Sequence, residues 1–249
     1  VCTISDESKA RYRDWVRSNR ELVAKRSGGK LGYLHIPDMG CQGLIEFHRG
    51  LYTESLKDGL IVDVRFNGGG FVSGMIISKL ARRPVGYGRR RSGLPMAYPE
   101  HAVRGPIVAI CDERSGSDGD IFSQAFKALK LGTLVGKRTW GGVVGIDGRR
   151  RFVDQGLATQ PEYAFWFHGE GWGVENKGVE PDIEVEWDPA SFVAGKDPQL
   201  EKAVSVAMER VQAGGGAAPD LGPAPSKAPR PLRKHLAYGR VFERKAAKS

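Results

Sequence analysis

Six residues, Ser115-Gly116-Ser117-Asp118-Gly119-Asp120, lie between the apolar run Pro106 to Cys111 and a segment of helical periodicity, Ile121 to Leu131. A serine at such a strand-to-helix turn is a candidate nucleophile. The unpaired amides of a helix's first turn, and the positive end of its dipole, favour an anion forming there, as in the tetrahedral intermediate of acyl transfer. Glycine neighbours let a substrate backbone approach. Read alone, the same residues also suit a plain helix cap, with Ser115 or Ser117 ahead of Asp118 and Asp120.

A second glycine-rich turn follows another strand. Leu60 to Phe66 is apolar except for Asp63 and Arg65, and ends in Asn67-Gly68-Gly69-Gly70 before Phe71, Met75, Ile76 and Leu80 at helical spacing. Free amides at a strand's carboxyl end serve a phosphate nest, a tight turn or half of an oxyanion hole. A phosphate loop would place Lys and then Ser or Thr at fixed spacing, whereas Phe71-Val72-Ser73 follows here.

Four motifs in order, Asp63 to Gly70, Gly116 to Asp120, Lys137-Arg138-Thr139-Trp140-Gly141-Gly142 and Gly173-Val174-Glu175-Asn176, resemble the carboxy-terminal catalytic domain of the tricorn protease family, within the tail-specific serine peptidases. The resemblance covers roughly residues 10 to 211. It implies an α/β fold with a crotonase/ClpP-like core of repeated strand-helix units and additional β-hairpins. It also implies that Ser117 is the nucleophile, that the amides of Gly70 and Asp118 form the oxyanion hole, and that Glu175 is the acidic member of the relay. Gly68, Gly69 and Gly70 match the strip that binds substrate backbone. Gly88 stands after Gly86-Tyr87 where archaeal members carry an aspartate that reaches a neighbouring subunit's pocket, so a weaker preference for basic side chains is expected.

A serine hydroxyl needs a base to take its proton. The resemblance implies a Ser-His-Ser-Glu tetrad whose histidine and second serine lie upstream of a PDZ module, and no residue here matches either. Of the five histidines, His35 falls in a strand pattern, His48 on a helix, and His235 in the tail. His101 also lies outside the family's histidine motif. His168, seven residues before Glu175, is the one to test as a base. The Ser-Lys dyads of tail-specific peptidases carry lysine after an aromatic-Gly pair, but Trp140-Gly141 is followed by Gly142, and Lys137 precedes the pair. This piece is therefore expected to hydrolyse peptides poorly by itself. Two readings from other classes stay open: a crotonase-like acyl-CoA enzyme, and a peptide-binding or assembly module without a competent base.

The elements that must position these residues read as one α/β domain. The chain's 249 residues, 40% of them hydrophobic, suffice for a sizeable core. Residues 1–29 read as a charged connecting helix, 30–211 as the catalytic domain, and 212–249 as a Gly/Ala/Pro linker with a basic, disordered tail. Leu31 to Ile36 and Leu60 to Phe66 read as strands and Leu44 to Leu56 as a helix. Beyond Gly132, short strand runs are expected at 133–137, 143–146, 151–153, 164–167 and 183–187, with Trp140, Trp166, Phe167 and Trp172 available to line a channel or to pack.

Net charge is +9, and residues 222–249 hold eight Lys and Arg against Glu243 alone. The body is thus barely basic, and nucleic acid is not an expected partner. Peptides are the expected ligands, and resemblance implies a homo-oligomer, a hexamer of full-length chains. Arg89-Arg90-Arg91 and Arg149-Arg150-Arg151 are candidate anchors for a peptide's carboxylate. Cys2, Cys41 and Cys111 have no paired spacing, so neither a metal site nor a disulfide framework is expected, no cofactor is called for, and a reducing cytoplasm fits. No stretch reaches membrane-spanning length.

Overall fold

The computed structural model describes residues 5–90, 92–93, 95–147, 151–216 and 219–223. The elements run α1 (Ser8–Ser27), β1 (Leu31–His35), α2 (Cys41–Glu54), β2 (Gly59–Asp63), α3 (Ser73–Leu80), β3 (Gly86–Gly88), β4 (Met96–Tyr98), β5 (Ile107–Cys111), α4 (Asp118–Ala128), β6 (Gly132–Gly136), β7 (Gly145–Asp147), β8 (Gln160–Tyr163), β9 (Ile183–Glu184), α5 (Pro189–Val193) and α6 (Pro198–Gln212). Strands β1, β2, β5, β6 and β9 form, in that order, one wholly parallel sheet. Two antiparallel hairpins, β3–β4 and β7–β8, are inserted between its strands. The fold is mixed α/β with a parallel central sheet.

Helices cover both faces of this sheet, which explains why its strands read as unbroken apolar runs. Leu60, Val62, Ile107, Ala109 and Cys111 face Phe47 and Leu51 of α2, Ile76 and Leu80 of α3, and Phe122 and Phe126 of α4. Their alternates, Ile61, Val108 and Ile110, face Val23 of α1 and Leu200, Ala203 and Ala207 of α6. Helix α1 ends where Gly28 takes φ 59°, and the Gly29 amide donates to Ala24 O at 2.8 Å. The segment expected to connect is thus packed onto the sheet beside α6.

The two charges that interrupt β2's run neutralise one another. Asp63 and Arg65 are fully buried, the guanidinium donating to Asp63 Oδ2 at 2.7 Å and to Asp197 Oδ1 at 3.0 Å. Trp15 and Trp187 rings lie 5.7 and 5.0 Å from its carbon. Burial would raise the Asp63 pKa, but the charge and hydrogen bonds of Arg65 outweigh it and hold the carboxyl below its usual range. Asp197 also caps α6, accepting from the Leu200 amide at 2.9 Å, with Pro198 in the first turn. One cluster therefore ties the end of β2 to the start of α6.

Several short-strand expectations give way to turns. Arg151 makes only an isolated bridge to Leu157, and Phe167 one to Gly171, so 151–153 and 164–167 are not strands. The hairpin pairs Gly145–Asp147 with Gln160–Tyr163 instead. The Gly/Ala/Pro segment begins folded: Gly215 N donates to Arg210 O at 3.0 Å, and the Gly216 Cα lies 3.1 Å from where a Cβ on Gly105 would sit. Residues 1–218 and 219–249 are separate units. Of the second, only 219–223 are described, so the expected basic tail, like Arg91, Arg149 and Arg150, lies outside the described residues. Among the described residues, no helix is long and apolar enough to cross a membrane.

Candidate active site

The Ser117 turn sits at the carboxyl edge of the parallel sheet, between β5 and α4. Ser115 and Ser117 have opposite roles there. Ser115 is buried, its hydroxyl 2.8 Å from Val64 O and 2.9 Å from Asp112 Oδ1 while accepting from the Asp112 amide at 3.1 Å. Ser117 is half-buried and stands at the N-cap position of α4 without a side-chain cap bond. Its backbone takes φ 54° and ψ −118°, a conformation that costs a non-glycine residue on the order of 1–3 kcal/mol. Among the described residues, Ser117 Oγ makes no hydrogen bond.

Three tethers maintain the strained turn. Asn67, buried, donates from Nδ2 to Ile36 O at 2.9 Å, and its Oδ1 accepts from Gly69 N at 2.9 Å. Its carbonyl accepts from Gly116 N at 2.9 Å, which hydrogen-bonds the triple-glycine turn to the serine turn. The Asp118 carboxylate, also buried, accepts from Ser73 N at 2.9 Å and from the Ser73 hydroxyl. Asp120 accepts from Thr139 Oγ1 at 2.5 Å and from Gly141 N and Gly142 N at 2.8 and 3.3 Å. Burial pushes the Asp120 pKa up against these lowering bonds.

The triple glycine is there for contact. A Cβ on Gly69, at φ 101°, would come within 2.6 Å of Ser117 Cβ and 2.9 Å of the Asp118 amide nitrogen. A Cβ on Gly70 would lie 2.0 Å from Met39 O. The loop is clamped to Met39, whose amide donates to Gly69 O at 2.8 Å and whose carbonyl accepts from Phe71 N at 2.7 Å. The Asp118 amide belongs to the first residue of α4 and has no partner within that helix. Among the described residues, the Gly70 amide has none either. Gly68, Gly69, Gly70, Ser117 and Asp118 thus come together as one surface.

Glu175 belongs to a segment hydrogen-bonded to residues 141–144. Its Oε2 accepts from Val143 N at 2.7 Å and Val144 N at 2.8 Å, and Asn176 N donates to Gly141 O at 2.6 Å. Residues 139–144 are therefore suspended between Asp120 on one side and Glu175 on the other. The Trp140 ring covers Gly116, coming within 2.8 Å of where a Cβ there would sit. Gly88 lies apart on the β3–β4 hairpin, where the nearest atom to a Cβ would be Met96 O at 4.0 Å.

None of the described histidines reaches the serine. His35 is buried, with Nδ1 3.0 Å from the Tyr12 hydroxyl and Nε2 2.9 Å from Arg65 O. His48 is exposed on α2, His101 packs on Tyr52, and His168 is exposed against Trp166. His235 lies outside the described residues. Lys137 is held by Glu186 and, at 3.4 Å, by Glu184, which raise its pKa and keep it charged. Trp140, Trp166 and Trp172 are exposed, whereas Phe167 packs against the core. Among the described residues, no group of His, Cys, Asp and Glu could hold a metal ion.

The model of peptidase family S41 matches residues 30–185. The chain belongs to this family. The matched S41 span contains the triple glycine, Ser117 and Glu175. The chain is 54% identical over 209 residues to the tricorn protease of Thermoplasma acidophilum, covering 84% of itself and 20% of that protein. It is 50% identical over 212 residues to a putative tricorn-like protease C-terminal subunit of Sulfurisphaera tokodaii, covering 85% of itself and 25% of the relative. The crystal structure of the tricorn protease superposes with a TM-score of 0.82 at 54% identity, over 84% of this chain and 20% of that one. This S41 chain spans about a fifth to a quarter of the length of these relatives.

Asn67 and Asp120, which hold the serine turn in shape, were not singled out from the sequence. Both sit inside the recurring motifs. An Asn directly before three glycines, and an acidic residue three positions after the candidate nucleophile, were the available signals.

Proposed function

We propose that this chain carries the nucleophile of a serine peptidase that cleaves peptides through an acyl-enzyme on Ser117. The observation that supports it most is the pairing of a strained Ser117, free of any side-chain cap bond, with two amides, Gly70 and Asp118, on turns hydrogen-bonded to each other. Ser117 Oγ attacks the peptide carbonyl carbon, and its proton leaves to a base. The carbonyl oxygen becomes an oxyanion that the two amides stabilise. The amine departs with a proton, and water then attacks the ester and releases the acid. Preorganisation matters because donors already fixed in place need not reorganise as charge develops.

Glu175 acts at one remove. Its Oε2 is committed to two backbone amides, and Oε1, which has no partner among the described residues, is the oxygen that would orient the base side of the network. The base itself is a histidine supplied by sequence other than the described residues, by similarity to the tricorn family. The same reading makes the core crotonase/ClpP-like, residues 30–211 the catalytic domain, and the assembly a cytoplasmic homo-oligomer. With glycine at 88, it gives a specificity less biased toward basic side chains. Ser117→Ala in the active protein should abolish peptide turnover with the fold intact, and retained turnover would remove Ser117 from the mechanism.

A further inference from the structure

Strand β2 stops at Asp63, yet the chain beyond it has to enter the triple glycine along a fixed course. The sheet supplies one more rung, Val64 N donating to Ile110 O at 2.9 Å. From there, side chains of the turn between β5 and α4 take over. Asp112 Oδ1 accepts from the Phe66 amide at 3.0 Å. The Ser115 hydroxyl, 2.9 Å from that same oxygen, lies 2.8 Å from Val64 O. Residues 64–66 are thereby fastened to the serine turn by two of its own side chains.

What they fasten is strained. Phe66 takes φ 64°, in the left-handed region that bulky side chains rarely adopt. It is 40% exposed, so burial of its ring does not account for the conformation. Asp112, by contrast, is buried. Burial pushes its pKa up, against the bonds from Phe66 and Ser115 that pull it down. A carboxylate taken out of water is costly unless its oxygens are used. Here Oδ1 is used on both turns at once, by the Phe66 amide from one and by the Ser115 hydroxyl and the Arg114 amide, at 3.2 Å, from the other.

We propose that Asp112, with Ser115 as its partner, is a positioning residue for the oxyanion hole: its carboxylate holds Phe66 in the strained conformation from which the chain delivers the Gly70 amide beside Ser117. This rests on the peptidase reading. The bond from Asp118 to Ser73 grips the chain after Gly70, and Asp112 grips it before Asn67, so the glycine turn is held at both ends. Without the carboxylate Phe66 relaxes and the Gly70 amide shifts. A misplacement of about 1 Å at a reacting group costs on the order of 10²-fold in rate. The loss falls on kcat, because the amide serves the charge that develops in the transition state.

The test is steady-state peptide hydrolysis by the active protein carrying Asp112→Ala or Asp112→Asn, at a temperature where circular dichroism shows each variant folded. Asp112→Ala should lower kcat about 10-fold to 100-fold and leave KM within about twofold. Asp112→Asn, which keeps an oxygen to accept from Phe66, should recover kcat to within about fivefold of the natural protein. Unchanged kcat in Asp112→Ala, a change in KM alone, or an Asn variant no faster than the Ala variant would overturn the proposal. If Asp112→Ala does not fold, Ser115→Ala carries the comparison, with a severalfold lower kcat expected and an unchanged kcat overturning it. Ser117→Ala run alongside separates the two claims. Turnover retained there removes the peptidase reading and this inference with it, whereas turnover lost there but kept in Asp112→Ala removes this inference alone.

Discussion

The Asp118 carboxylate accepts from both the amide and the hydroxyl of Ser73, so the first residue of α4 caps the first turn of α3. One side chain thereby ties together the two turns whose amides, Gly70 and Asp118, converge on one oxyanion in the proposed mechanism. Asp118→Ala should cost about 1–3 kcal/mol of stability, since Ser73 is buried and would lose its acceptor. It should also lower kcat in the active protein, by up to roughly 10²-fold to 10³-fold if one oxyanion donor is lost. Urea unfolding and steady-state kinetics on the same variant read both effects. Lost stability with unchanged kcat would show that the clasp does not align the site.

Gly88 offers a gain-of-function test. The nearest atom to a Cβ there is 4.0 Å away, so an aspartate fits without displacing backbone. Gly88→Asp should raise kcat/KM for peptides with Lys or Arg at the cleaved position relative to Leu by about two- to fivefold, the scale of an exposed ion pair. An unchanged ratio would take Gly88 out of the specificity determinants.

His35 predicts a slope in stability with pH. Burial lowers its pKa, against the opposing pull of the Asp63 charge and the Arg65 carbonyl. The unfolded chain, with an ordinary value near about 6.5, binds the proton first. Stability is therefore full above that pH and falls as pH drops from it toward the depressed folded value. Urea midpoints measured across this window should fall for the natural chain, and His35→Gln should remove that part of the slope. Parallel profiles for the two proteins would show that His35 is not the titrating group.

The strands of the central sheet and the helices α2, α3 and α4 were legible because burial on both faces writes continuous apolar runs and 3.6-residue periodicity into the sequence. Their ends were less legible. Leu60 to Phe66 reads as one strand, yet β2 stops at Asp63, because Arg65 turns inward to pair with it. That pairing depends on Asp197, 132 positions away, and no local pattern shows it. Helix α6 passed without assignment although Asp197-Pro198 followed by Leu200, Ala203, Val204 and Ala207 is a capped amphipathic start. The serine turn was legible as a motif, but the different settings of its two serines were not: Ser115 is saturated by Val64, Asp112 and the turn backbone, whereas Ser117 makes no side-chain cap bond.

Since no described residue is placed to take the Ser117 proton, this chain alone should hydrolyse peptides about 100-fold to 10,000-fold more slowly than a protein that also contains the histidine-bearing region, the range a positioned base contributes. Parallel rate measurements on the two proteins decide it. Equal rates would put the base inside this chain, and His168→Ala would be the variant to make next.

The most direct test of the account is to react the protein with a peptidyl fluorophosphonate and map the adduct by mass spectrometry. The account predicts a single phosphonyl group on the peptide containing Ser117, absent in Ser117→Ala and slowed in Asp118→Ala. A label on Ser115, Ser73 or any other residue, or labelling that survives in Ser117→Ala, would contradict it.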